Sequence, residues 1–211
     1  MEEEGGIERV LDKYRKAGRI LAEIREEVLA KVKEEVLLLE VAEFVEKSIR
    51  ERGGEPAFPC NISLNEEAAH ATPSMADTRV FGNELVKIDI GVHVDGYIGD
   101  SAVTVDLSGE HEELVRASEA ALNEAIRIIR DGVSTVEIGE VIERTIRAHG
   151  YKPIVNLSGH GLARYNSHAP PTIPNVRYEH GVLLRENDVV AIEPFATGGV
   201  GKVVESGTVE I

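Results

Sequence analysis

The sequence has one cysteine, and that scarcity limits its setting. Cys60 has no partner for an internal disulfide, so the chain fits a reducing compartment. The start, Met1-Glu2-Glu3-Glu4, is acidic and lacks the apolar core of a secretory signal. No apolar run approaches the roughly 20 residues that a membrane helix needs. Positive charge is scarce too: 23 Lys and Arg against 38 Asp and Glu leave a net charge of −15, a surface that repels phosphate backbones. A cytoplasmic protein with neither a membrane partner nor a specific nucleic-acid partner is expected. What is present, 42% hydrophobic and 29% charged residues, excludes a disordered chain. A chain of 211 residues suits one domain, or two fused halves, burying roughly 70% of its unfolded surface.

Residues 1–6 read as a flexible tail, and residues 7–211 as a single domain. From Ile7, apolar positions recur through Val10, Leu11, Tyr14, Ile20, Leu21, Ile24 and Val28, one stripe on a long helix. A second helix carries Leu38, Val41, Val45 and Ile49 and stops at Gly53-Gly54. A Pro-containing stretch follows, then two β-rich runs, Leu85–Val94 and Tyr97–Leu107, around the hairpin signal Asp95-Gly96. The order then repeats. A third helix runs through Leu114, Ala121, Ala125 and Ile129, and a fourth opens on Ser134 with Glu137, a capping box. KPIVNLSGHG echoes PAFPCNIS, with Asn61-Ile62-Ser63 answering Asn156-Leu157-Ser158, and a strand Val189–Glu193 precedes a turn at Gly198-Gly199. Two pseudo-repeats, roughly 7–107 and 112–211, predict a pseudo-symmetric α+β domain with a hairpin in each half.

The first hairpin carries the sharpest chemical signal. A two-residue turn at Asp95-Gly96 places Gly91 opposite Asp100 and Asp89 opposite Ala102, so the two aspartates share a face as diagonal neighbours. Carboxylates this close in an apolar sheet repel and lose hydration, so they call for protons or cations, and the pair suits two divalent ions. The competing reading is a solvated sheet face. Glu193, again after an isoleucine, occupies the position equivalent to Asp89, and His160 lies between glycines that leave its imidazole accessible. His70 and His168 sit in polar, proline-bearing loops and are further candidates, whereas His93 is placed on the face opposite Asp89.

The segments PAFPCNISLNEEAAHATP, VKIDIGVHVDGYIGDSAVTV, NLSGHGLARYNSHAPPTIPN and AIEPFAT resemble the methionine aminopeptidases of the archaeal and eukaryotic type II branch. The resemblance implies the pita-bread (creatinase/aminopeptidase) fold, with internal pseudo-two-fold symmetry. It also implies removal of the initiator methionine from nascent proteins by metal-activated water, with two divalent ions as cofactors (Co, Mn, Fe or Zn). The metal ligands it implies are Asp89, Asp100, His160 and Glu193, with Glu193 also moving a proton. His70 and His168 match catalytic, substrate-contacting histidines, and Phe58 matches an aromatic wall of the methionine pocket. A monomer, working at the ribosome on nascent chains, is the associated expectation. The alternatives are an impaired or non-enzymatic pita-bread binding protein and a proline-directed aminopeptidase P or prolidase relative.

The family also has a fifth ligand, a bridging glutamate near the C-terminus. Internal symmetry puts Val204 at the position of Asp100, with Glu205 beside it and facing the other way. The expectation is therefore a C-terminally truncated type II enzyme, without the last strand and the helical insertion.

Overall fold

The structure is a computed structural model that describes residues 2–205. The chain falls into two compact units: the residues up to Gly109 together with Ala163–Ser167, and Glu110–Leu162 together with the residues from His168 onward. The break after Gly109 lies between the two expected halves, while the excursion of 163–167 has no signal in the sequence pattern.

In the first unit, helices α1 (Glu2–Leu29) and α2 (Leu38–Glu51) pack on an antiparallel sheet. Its centre is β3 (Leu85–Val94), with β4 (Tyr97–Asp106) along one edge and β1 (Glu55–Pro56) and β2 (Asn61–Leu64) along the other. The first helix begins at Glu2, so residues 2–6, expected as a tail, are its opening turns. Its buried stripe is Ala17, Ile20, Leu21, Ile24 and Val28, whereas Ile7 is exposed. Against these lie Leu38, Val41, Val45 and Ile49 of α2 and Val86, Ile88, Ile90 and Val92 of β3. Every second residue of β3 thus enters the core, and Lys87, Asp89, Gly91 and His93 share the other face. This corrects the expected placement of His93: a period of two puts it on the face of Asp89. Asp95 and Gly96 have φ of 51° and 86°, the left-handed pair that a two-residue hairpin turn requires.

In the second unit, α3 (Glu112–Ile128) packs on α4 (Thr135–Ala148). Ala117, Ala121 and Ala125 are the buried residues of α3, small side chains at four-residue steps, and Ile129, expected on this stripe, is exposed. The capping box forms as expected: Ser134 Oγ accepts from Val136 N at 3.1 Å, and Ser134 N donates to Glu137 Oε1 at 3.4 Å. Strand β6 (Ser158–Ala163) lies between β7 (Asn166–Pro174) and β8 (Val190–Ala191), while β5 (Lys152–Pro153) pairs with β9 (Ala196–Thr197). The stretch around His168, expected as a loop because of its prolines, is strand β7. It is an edge strand, where a missing N–H is tolerated.

The expected second hairpin is not formed among the described residues. Strands β8 and β9 are separated by irregular residues 192–195, where Pro194 has no N–H to give a ladder. Beyond Gly199 the chain runs beside Val155 and Asn156: Val155 N donates to Gly201 O at 3.0 Å, and the Asn156 amide bonds both backbone groups of Val203. The ladders nevertheless define an internal equivalence. Pro56 faces Val92, three residues past Asp89, and Pro153 faces Ala196, three residues past Glu193. Asp89 and Glu193 are therefore equivalent, as expected. The same offset matches Asn61 with Ser158 and Ser63 with His160, shifting the expected Asn61–Asn156 correspondence by two residues.

Candidate metal centre

The first unit supplies the aspartates. Asp100 faces Gly91 and Asp89 faces Ala102, the expected register, so the two carboxylates are diagonal neighbours on the sheet face turned away from the core, each half-buried. On its other side Asp89 faces buried Asn61, whose Oδ1 accepts from Thr72 Oγ1 at 2.6 Å. This Asn61–Thr72 pair is part of the site that the sequence reading missed; its signal was a polar Asn opening a buried strand. Phe58 stands on the same face. A Cβ on Gly91 would run into its ring, so the glycine is what lets the ring lie between the positions of Asp89 and His93.

His70 lies in a loop as expected, exposed and with φ of 63°. Its neighbour Ala71 holds it to β2: Ile62 N donates to Ala71 O at 2.7 Å, and Ala71 N to Ser63 Oγ at 3.4 Å. Two nearby groups fall outside the donor set. Burial, and then the charge of Asp89, push the Cys60 thiol well above its ordinary value, so it stays neutral. Burial lowers the Lys87 ammonium to about 8, and its Nζ donates to Asn65 O at 2.8 Å.

The second unit supplies a histidine and a glutamate. His160 faces Ala191, and Glu193 follows two residues on. His160 Nε2 lies 2.9 Å from Glu193 Oε1, and Nδ1 lies 3.2 Å from Gly161 O. With the ring proton on Nδ1, Nε2 presents a lone pair to a carboxylate oxygen. Two acceptors so close require a proton or a cation between them, and oxygen plus imidazole donors fit Mn, Fe, Co or Zn. The His168 ring lies 4.4 Å from that of His160, tilted by 56°.

The glycines flanking His160 act otherwise than expected. A Cβ on Gly159 would strike Ala191 O, and one on Gly161 would strike Pro170 O, so these glycines let β8 and β7 close against β6. The His160 side chain is consequently only 12% exposed rather than open. Asn175, 1% exposed, holds the irregular segment that carries Glu193: its Oδ1 accepts from Phe195 N at 3.2 Å and its Nδ2 donates to Leu157 O at 2.9 Å. Val204 and Glu205 are both exposed.

Comparison with known proteins gives this arrangement a lineage. The model of metallopeptidase family M24 matches residues 12–211. The methionine aminopeptidase of Archaeoglobus fulgidus is 55% identical over 203 residues, covering 96% of this chain and 69% of that protein. That of Methanocaldococcus jannaschii is 51% identical, covering 94% of this chain and 66% of that protein. The chain thus spans about two thirds of the length of these relatives. Among solved structures, the Thermotoga maritima methionine aminopeptidase superposes with a TM-score of 0.86 at 30% identity, covering 93% of this chain and 83% of that one. The Pyrococcus horikoshii prolidase reaches 0.76 at 25% identity, covering 89% and 54%. The fold is the pita-bread fold these enzymes share. The chain belongs to metallopeptidase family M24, within its archaeal methionine aminopeptidases.

Proposed function

We propose that this chain is a hydrolase that releases methionine from the N-terminus of polypeptides, using divalent ions held by Asp89, Asp100, His160 and Glu193. The observation that carries the reading is the convergence of His160 Nε2 and Glu193 Oε1 at 2.9 Å, two atoms of metal-ligand type within reach of one ion, in a chain of this family. A bound divalent ion supplies Lewis acidity and lowers the pKa of a water to about 7. The remaining work belongs to the side chains. Asp89 and Asp100 provide negative charge on one sheet face, enough for a second ion. Glu193 moves a proton at its carboxylate toward the leaving amine, a general acid–base role. His70 and His168 donate to the scissile amide and to the carbonyl oxygen as its charge develops. Phe58 forms a wall for the methionine thioether, which packs well against rings.

In the same reading the chain holds two ions, with availability deciding among Co, Mn, Fe and Zn, and acts as a monomer on nascent chains in the cytoplasm, at the ribosome. No helix among the described residues is long and apolar enough to cross a membrane. The test supplies Mn²⁺ or Co²⁺ and measures free methionine released from a Met-Gly-Gly peptide, with Gly-Pro as the control substrate. Release from the first alone is expected. No release, together with no Mn²⁺ bound in calorimetry, would overturn the reading, and cleavage of Gly-Pro alone would move it to the proline-directed class.

A further inference from the structure

The tip of the β6–β7 hairpin is fastened far more heavily than a surface turn requires. Tyr165 is 66% exposed, yet it holds a left-handed backbone with φ of 56°, a costly conformation for an aromatic residue that burial does not offset. It is tied to the turn between β3 and β4. Its N donates to Gly96 O at 2.8 Å, and its ring covers Gly96 so closely that a Cβ there would lie 2.5 Å from the ring. The ring also meets His93 edge-on at 5.5 Å, and His93 Nδ1 accepts from Gly96 N at 3.2 Å.

Arg164 doubles the attachment. Its Nε donates to Asp95 O at 2.9 Å, and its guanidinium lies 5.3 Å from the Tyr165 ring centre and 5.6 Å from that of Tyr97. Lys13 of α1 completes the clasp, 2.8 Å from the Asp95 carboxylate and 5.3 Å from the Tyr97 ring centre. Residues 163–167 accordingly belong to the first unit, although the rest of β6 and of β7 belongs to the second. His160 lies three residues before this tip and His168 directly after it.

We infer that Arg164 and Tyr165 are positioning residues: by clamping the hairpin tip on the Asp95-Gly96 turn they fix the settings of His160 and His168. Neither touches the substrate or an ion; they act through the histidines of the two legs. This inference rests on the proposed function above, and it explains why a strained, exposed tyrosine stands beside a glycine turn.

The experiment uses the full chain and titrates Mn²⁺ calorimetrically, alongside metal-free thermal unfolding and the kcat and KM for Met-Gly-Gly. Tyr165→Ala is expected to weaken Mn²⁺ binding about 10-fold and to lower kcat while the metal-free Tm barely moves. Tyr165→Phe, which keeps the ring, should restore both. Arg164→Gln should reproduce the loss in weaker form. If Tyr165→Ala does not fold, Arg164→Gln decides. Mn²⁺ affinity unchanged in both, or a fall in Tm with affinity intact, would overturn the inference. Should Asp100→Ala abolish binding while the clasp variants do not, the function stands and the clasp alone falls. Failure of the unsubstituted chain to bind Mn²⁺ would remove both.

Discussion

The two units solve one problem by different means. In the first, Asp89 sits mid-way along a ten-residue strand whose ladder to β4 is unbroken from Leu85 to Val94. In the second, the equivalent Glu193 lies in an irregular gap between two strands of two residues each. A ladder fixes a carboxylate by periodicity alone. Across the gap the same work falls to a buried amide, Asn175, and to glycines that let three strands close together. The first arrangement is legible from spacing; the second depends on contacts between residues far apart in sequence.

That contrast breaks most readily at the glycines. Gly161→Ala forces a methyl group into backbone, at Pro170 O, which has nowhere to swing, whereas Gly91→Ala meets the Phe58 ring, a side chain that can turn away. Gly161→Ala should cost more than about 3 kcal/mol and Gly91→Ala about 1–3 kcal/mol, read by urea unfolding. Equal costs would mean that the second unit is no more tightly closed than the first.

A slightly smaller effect isolates the amide. Asn175→Ala leaves Phe195 N and Leu157 O without their partner and should cost about 2–3 kcal/mol. It should also weaken Mn²⁺ binding, because the segment carrying Glu193 is released. Unchanged affinity in the folded variant would show that Asn175 supports the fold and not the site.

Within the first unit, Asp100→Ala is expected to reduce Mn²⁺ affinity about 10- to 100-fold in calorimetry. His93→Ala, on the same face but bonded to Gly96 N and edge-on to the Tyr165 ring, should cost less. Equal losses would count against Asp100 as a ligand.

The smallest expected effect concerns the loops. His168 rides on a strand, while His70 rides on a loop in which Asp77 pins Arg79 through two side-chain nitrogens and a backbone N–H. Hydrogen bonds from Arg79 hold the Asp77 carboxyl below its ordinary value. A carboxyl lowered by folding stabilises the protein above its unfolded value, about 3.9, and that contribution fades as pH falls through the folded one. The Tm deficit of Asp77→Asn should therefore be present at neutral pH and shrink below about pH 4. A deficit that persists in acid would exclude the ion pair as its source.

Much of this fold was legible because its signals are local. Asp95-Gly96 fixed the register of the first hairpin, Ser134 and Glu137 fixed the start of α4, and apolar steps located the helices. Alternation singles out Asp89 and Asp100, and internal repetition Glu193, whereas the glycines that draw attention to His160 serve to close the strands around it. What escaped was non-local. Proline content disguised β7, which is tolerated as an edge strand, and Pro194 broke the strand expected to reach Glu193. The roles of Asn61, Asn175 and Tyr165 come from partners 11, 20 and 69 positions away in the chain, separations no periodicity reports. His93 was misplaced for a simpler reason: alternation, applied consistently, puts it with Asp89.

Asp89 and Glu193 are equivalent in the two halves, and both are proposed ligands of divalent ions. Mn²⁺ titration of the full chain beside Asp89→Ala, Glu193→Ala and the double variant, with folding verified by circular dichroism, tests that proposal. Saturable binding should weaken with either substitution and vanish with both. Undiminished stoichiometry and affinity in the double variant would rule both carboxylates out as ligands.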